Sequence, residues 1–225
     1  MLIRTNPVLD ARTIILHLAT VLTVTVAPAF PAEPKSREDA LRALRSADAA
    51  TRAEAVVWIA NRGPMEDASH LHERLRDESG LVRSYAEQGL WLLWNRSGDA
   101  KIDAAMAQAG EAMQAGRYDE AIEKFSSVIK AKPGFAEGWN KRATAYYLAG
   151  EYDKSIADCH EVLQRNPRHF GALSGMGQIY TRLEQYDEAL KWFRKALDVN
   201  PNMVGVEMNI EQLKELLRQK QQRTI

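Results

Sequence analysis

The sequence predicts an all-α fold, a right-handed superhelical solenoid in which helical hairpins stack one after another. Three observations support this. Pro133, Pro167 and Pro201 stand 34 residues apart, a weaker duplication with a period of 31 precedes them, and a segment with a single apolar stripe follows them. A fixed period of this length indicates units that bury their apolar faces only against their neighbours.

The N-terminal segment, residues 1–29, has the pattern of a secretory signal peptide. Arg4 and Arg12 precede a stretch from 13 to 30 without Asp, Glu, Lys or Arg, and small residues stand near its end. We expect cleavage after Ala29, with Ala32 as the second choice, and export to a bacterial periplasm or secretion. An uncleaved N-terminal anchor is the alternative, although the stretch is short for a spanning helix of about 20 residues.

Residues 36–99 contain two similar units, 31 positions apart. The aligned pairs are Leu44 with Leu75, Arg52 with Arg83, and Ala55 with Ala86. The second unit resembles a HEAT-type repeat, in which the acidic residue of the turn commonly pairs with the arginine of the next helix. That resemblance implies a pair between an acid of the turn, Asp77 or Glu78, and Arg83. The alternative is an irregular helical cap.

Leu90, Trp91, Leu93 and Trp94 give the last helix of this region an apolar surface wider than one stripe. Such a helix should be covered on more than one side, so we expect it to join the two repeat arrays. The alternative is that the 90–94 region is exposed, and that the chain assembles through it into an oligomer or a structural envelope complex.

The strongest pattern is a set of three 34-residue units at 102–135, 136–169 and 170–203. A small residue in the first helix of each unit (Ala109, Ala143, Gly177) lets two antiparallel helices approach, and the prolines end the second helices. Gly116 and Gly150 suit the turn between the helices, where a positive φ is needed; Glu184 occupies that position in the third unit.

At these positions the chain resembles the tetratricopeptide repeat family. The second unit matches the family signature at Trp139, Ala143, Tyr146, Gly150, Tyr152 and Pro167. The first unit is weaker, because Ala105, Gln108 and Ala112 stand where larger residues are usual. The resemblance covers 102–203 and is specific for the fold. Our leading hypothesis for the function is a non-enzymatic, exported module that binds a protein segment. Residues 204–225 are expected to form a C-terminal capping helix with a polar outer face.

In this family the first helices of the hairpins line a concave groove that takes peptides, so the resemblance implies a protein or peptide partner of unknown identity. The residues placed in this groove are Met106, Met113, Asn140, Lys141, Thr144, Tyr147, Ser174, Gln178 and Arg182. Their amides can hydrogen-bond a peptide backbone, and methionine adapts to varied apolar groups.

One binding mode of the family is not expected. Chaperone-binding members hold a C-terminal carboxylate with five Lys, Asn or Arg residues. The matching positions here are Met106, Gly110, Lys141, Gly171 and Gly175. Four of the five lack the required donor.

Composition and motifs point away from other classes of function. The 30 basic and 30 acidic residues balance, which argues against nucleic acid as a partner. The sequence contains no nucleotide-binding, zinc-protease or nucleophile-elbow motif, so we expect no cofactor and no enzymatic activity. His70 and His72, two apart on a helix, make a poor metal-binding pair. Cys159, the single cysteine, falls at a buried packing position of the repeat.

Overall fold

The computed structural model describes residues 33–223, and within this range every regular element is helical, which confirms the predicted all-α class. The predicted signal peptide, residues 1–29, lies outside the described residues. The helices are α1 (Arg37–Ala43), α2 (Ala49–Arg62), α3 (Ala68–Arg74), α4 (Gly80–Trp94), α5 (Ala100–Gln114), α6 (Tyr118–Ala131), α7 (Ala136–Leu148), α8 (Tyr152–Arg165), α9 (Phe170–Arg182), α10 (Tyr186–Val199) and α11 (Val204–Arg223).

Helices α1 to α4 form two hairpins around one core. Helix α1 packs on α2, and α4 packs on both α2 and α3. Ile59 of α2, Leu71 of α3 and Leu90 of α4 are fully buried in this core. Ser36 and Asp48 cap α1 and α2 by accepting hydrogen bonds from backbone N–H groups, which satisfies donors left free at a helix start.

A buried ion pair ties the two N-terminal hairpins together. Arg52 donates to both carboxylate oxygens of Asp77, at 2.9 and 2.8 Å, and both side chains are almost completely buried. The expected ion pair between a turn acid and Arg83 is not formed with either Asp77 or Glu78. Arg83 instead donates to the backbone oxygens of Asp77 and Glu78, because the carboxylate of Asp77 already faces the preceding hairpin.

Helices α5 to α10 form the three hairpins that the 34-residue period predicts. Each first helix packs on its second helix, and α11 packs on α10. Phe125 and Phe193 are buried between helices. The turns after α5 and α7 contain Gly116 and Gly150 with φ values of 75° and 80°.

The N-terminal hairpins also pack against the connections between the later hairpins, and this differs from simple end-to-end stacking. Phe170, the first residue of α9, is fully buried in the core of α1 to α4. Asn202, which follows α10, accepts a hydrogen bond from Arg83 at 3.0 Å and donates one to the backbone oxygen of Leu75 at 2.8 Å. The hairpins of α1 to α4 therefore contact the start of α9 and the segment after α10, which lie far along the chain.

The 90–94 region is enclosed by the chain itself. Leu90, Leu93 and Trp94 are at most 3% exposed, and only Leu92 presents a large exposed side chain. The prediction that α4 is covered on more than one side is confirmed, since α2 and α3 cover one side and Phe170 another. The alternative assumed that the apolar 90–94 patch is exposed, and this does not hold for Leu90, Leu93 and Trp94, whose side chains pack within the fold.

Among the helices of residues 33–223, none is both long enough and apolar enough to cross a lipid bilayer.

We expect Glu184→Gly to stabilise the protein. Glu184 has a φ of 57°, the left-handed conformation that the equivalent Gly150 adopts at 80°. This conformation costs an L-residue with a side chain about 1–2 kcal/mol. Glu184→Gly should recover part of that cost as a higher free energy of unfolding, measured by urea denaturation. Gly150→Glu is the matched control and should destabilise by a similar amount; equal stability of all three proteins would contradict this explanation.

Candidate functional site

The first helices of the later hairpins bring part of the predicted groove together. Beside α7 and α9 lies a cavity of about 440 Å³, which we call the groove cavity. Its wall from α7 and α9 includes Tyr147, Gln178 and Arg182, and the cavity is bounded by α11 on the other side. The residues that α11 contributes are Asn209, Gln212, Leu213 and Leu216.

Tyr147 and Arg182 form one rim of the groove cavity. Arg182 donates from Nε to the Tyr147 hydroxyl at 3.0 Å, and the Tyr147 ring lies 5.8 Å from the ring of Tyr152. Three side-chain amides face the same cavity without a hydrogen-bond partner among residues 33–223: Gln178, Asn209 and Gln212. This cavity therefore offers several free donors and acceptors beside apolar surface.

The predicted groove residues Asn140, Lys141 and Ser174 are occupied by internal contacts. Asn140 is buried and donates to both carboxylate oxygens of Glu137, at 3.1 and 3.2 Å. The Lys141 ammonium lies 3.3 Å from the same carboxylate. Ser174 is buried and donates to the backbone oxygen of Gly171 at 3.1 Å.

Met106 and Met113 lie outside the groove cavity. Both side chains are half-buried and pack against the core between α5 and α6, which includes Ala109 and Phe125. Thr144 is exposed, and it lines a narrow cleft between α7 and α9 that Gln178 also borders. Its hydroxyl donates to the backbone oxygen of Asn140 at 3.0 Å.

Glu137 and His169 form a fully buried pair at the start of α7 and α9. The Nε2 of His169 lies 3.1 Å from a carboxylate oxygen of Glu137, and its Nδ1 accepts from the backbone N–H of Ala172 at 3.0 Å. A backbone N–H can only donate, so the imidazole proton resides on Nε2 and points at Glu137. Burial alone would raise the pKa of Glu137, but hydrogen bonds from His169 and Asn140 and the charge of Lys141 hold this pKa below its ordinary value.

Two tryptophans of α4 pack on His169. The Trp94 ring stacks on the His169 ring with centroids 4.3 Å apart, and Trp91 meets His169 edge-on at 5.5 Å. Both tryptophans also contact the ring of Phe170. Trp91 lies so close to Gly171 that a methyl group there would overlap its ring.

The sequence analysis missed Glu137, His169 and the contribution of α11. An acidic residue and a histidine 32 positions apart form no recognisable motif, and their contact depends on the two hairpin ends coming together. The signal that could have indicated α11 is its set of amides, Asn209 and Gln212, one turn apart on the same face.

Cys159 and His72, the side chains considered for reactivity or metal binding, are both buried in the helical packing. Cys159 is buried, and this burial raises the pKa of its thiol to about 12, which leaves the unreactive thiol form. His72 is buried beside Trp94, with ring centroids 5.8 Å apart. Within residues 33–223, no three potential ligands among His, Cys, Asp and Glu gather into a group suited to a metal ion.

Comparison with protein families identifies the repeats of the second half of the chain. The tetratricopeptide repeat model matches residues 136–169 and 171–203. A TPR repeat-containing protein of Rhizobium etli is 34% identical over 104 residues, which are 44% of this chain. The chain spans about half of that relative's length, since the match covers 51% of it.

Solved structures share the helical arrangement at low identity. The Sgt2 TPR domain of Aspergillus fumigatus has a TM-score of 0.52 and 19% identity, covering 55% of this chain and 83% of that one. The first TPR of Spaghetti (RPAP3), bound to the HSP90 peptide SRMEEVD, has a TM-score of 0.51 and 22% identity, covering 53% and 96%. These similarities establish the fold of the repeats.

We expect Gly171→Ala to weaken the packing of α4 on α9. A methyl group at Gly171 meets the Trp91 ring, and overpacking of this kind typically costs about 1–3 kcal/mol. Gly175→Ala is the matched control one turn further along α9, where the added carbon would find only Cys159 Sγ, at 4.0 Å. Thermal unfolding should show a lower midpoint for the first variant and an unchanged or higher midpoint for the second; the reverse order would refute the packing argument.

Buried His72 should make the protein less stable in mild acid. Burial, with the nearby charge of Arg168, lowers the pKa of His72 from 6.5 to about 4. The unfolded chain takes up this proton near pH 6.5 and the folded chain does not, so stability is lost as pH falls from about 6.5 to 4.

Urea denaturation at pH 7 and pH 5 measures this effect. We expect His72→Gln to lose less stability between the two pH values than the parent protein does. Exposed His160→Gln is the control for removing a histidine elsewhere. If the parent and the His72 variant lose the same free energy of unfolding between pH 7 and pH 5, His72 is not the source of the acid sensitivity.

Proposed function

Because this chain is a tetratricopeptide repeat protein, we propose that it is a non-enzymatic interaction module that binds an extended segment of a partner protein. The segment occupies the groove cavity between α7, α9 and α11. The observation that carries this proposal is the combination, in one cavity of about 440 Å³, of apolar surface with three side-chain amides that lack partners among residues 33–223.

The free amides suit the backbone of a peptide. Each of Gln178, Asn209 and Gln212 has a carbonyl oxygen to accept and an NH₂ group to donate, so the three can pair with backbone groups without demanding a particular side chain. Leu216 and Tyr147 provide the apolar surface for one anchoring side chain. The cavity volume falls within the range of about 300–1,000 Å³ typical of ligand sites.

The arrangement supports a segment bound by its interior rather than by a terminal carboxylate. Lys141, the one donor retained at the five carboxylate-binding positions, is already paired with Glu137. At Gly171 the ring of Trp91 takes up the space. With mixed polarity and few charges, we expect a micromolar complex, about −8 kcal/mol.

Photo-crosslinking of the protein to its partner in the native host tests where the partner binds. A photoreactive residue placed at Gln178 should capture a defined protein, whereas one placed at exposed Gln164 on α8 should not. We expect Gln178→Ala combined with Gln212→Ala to raise the Kd for that purified partner about tenfold, because two hydrogen bonds of roughly 0.5–1.5 kcal/mol each are lost. Gln164→Ala should bind normally. Undiminished affinity of the double variant would exclude this cavity as the site.

The same protein is proposed to act outside the cytoplasm, in a bacterial periplasm or as a secreted protein. The support is the charge-free stretch from 13 to 30, preceded by Arg4 and Arg12 and followed by small residues. N-terminal sequencing of the protein recovered from its native compartment should begin at Phe30, after cleavage at Ala29. A mature chain that retains residues 1–29 would support the anchored alternative instead.

A further inference from the structure

A second cavity lies between the N-terminal hairpins and the connections that link the later hairpins. It has a volume of about 470 Å³, and we call it the seam pocket. Met65 and Ala68 form the side from the start of α3, while Phe135 and Arg168 come from the connections before α7 and α9. It shares no lining residue with the groove cavity.

The inner surface of the seam pocket is mostly apolar. Trp94, Phe135 and His72 are 3%, 6% and 3% exposed, so they form a deep floor, whereas Met65 at the edge is 44% exposed. Aromatic and thioether groups arranged in this way favour a flat apolar body. The lowered pKa of His72 keeps its imidazole neutral at pH 7, which leaves the floor without a cation. Glu137 also lines the pocket, but hydrogen bonds from His169 and Asn140 and the ammonium of Lys141 already satisfy its carboxylate.

The mouth of the pocket carries an unpaired positive charge. The guanidinium of Arg168 has no hydrogen-bond or ion-pair partner within the part of the chain that the structure describes. Partial burial and the nearby charge of Arg76 lower the pKa of Arg168, with Glu73 opposing them. Arg165, the other arginine of the lining, is held by Glu161 and by the backbone oxygen of Pro133. An anion at the mouth would therefore find one guanidinium free to bind it.

We propose that the seam pocket binds a small free molecule that combines an apolar, ring-sized body with one carboxylate. The body lies on Trp94 and Phe135, and the carboxylate pairs with Arg168 at the mouth. The volume fits a molecule of this class rather than a folded partner. The seam pocket shares no lining residue with the groove cavity, so ligand binding there can be tested separately from the proposed protein binding.

Calorimetric titration with 3-phenylpropanoate is the first test, using the chain from residue 30 onward with all its repeats. We expect saturable binding at one site, and weaker binding of 3-phenylpropanol, which keeps the ring and lacks the charge. N-acetyl-glycyl-phenylalanine presents the same ring and carboxylate at the end of a peptide. Tighter binding of that peptide would overturn the assignment to a free small molecule, and no saturation by 3-phenylpropanoate in the millimolar range would overturn the site.

Variants of Arg168 locate the bound carboxylate. Because Arg168 is exposed and unpaired, Arg168→Gln should fold normally, which circular dichroism can check. We expect this variant to weaken 3-phenylpropanoate about tenfold, as for a hydrogen bond to a charged group, and to leave 3-phenylpropanol unchanged. Arg194→Gln, an exposed arginine on α10, is the matched control. Equal weakening by both variants, or by neither, would contradict the proposed contact.

Discussion

The packing of Trp91 and Trp94 on the His169–Phe170 corner is the contact on which the other features of this protein depend. It joins the core of α1 to α4 to the start of α9, and it places four aromatic rings at centroid distances of 4.3–5.5 Å. Aromatic pairs at such distances stabilise beyond the area that they bury. Without a side chain at Gly171, Trp91 can approach α9 this closely. The N-terminal hairpins are thus fixed beside the repeats rather than only ahead of them.

The two ends of α7 differ in their burial, and the packing of α4 accounts for the buried end. Near its start, Glu137 is buried beside His169, the ring on which both tryptophans pack, and a buried carboxylate is tolerable only when its oxygens are hydrogen-bonded. His169, Asn140 and Lys141 provide those partners and are thereby withdrawn from ligand binding. Near the end of the same helix, Tyr147 faces the groove cavity, where the amides remain free. Helix α7 therefore has a buried polar cluster near its start and the surface proposed for a partner near its end.

Two arginines at equivalent positions of the period-31 units show how one residue type serves different contacts. Arg52 is buried on Asp77 and links the two N-terminal hairpins, and each member of this pair has a second ionic partner, Glu78 for Arg52 and Arg74 for Asp77. Arg83, its counterpart, reaches Asn202 after α10 and so links the second hairpin to the repeats. The partner that meets Arg83 there is the side-chain amide oxygen of Asn202, at 3.0 Å.

The sequence by itself determined the all-α class, the three 34-residue hairpins and the positive-φ turns at Gly116 and Gly150, because period, small residues and prolines act within one hairpin. It also placed Tyr147, Gln178 and Arg182 on one surface, which the structure brings together. Only the tertiary structure decided that Asn140 is buried, that α11 completes the cavity, and that α4 covers the start of α9. Those outcomes depend on contacts between residues 30 to 120 positions apart, such as Glu137 with His169 and Arg83 with Asn202, and no local pattern encodes them.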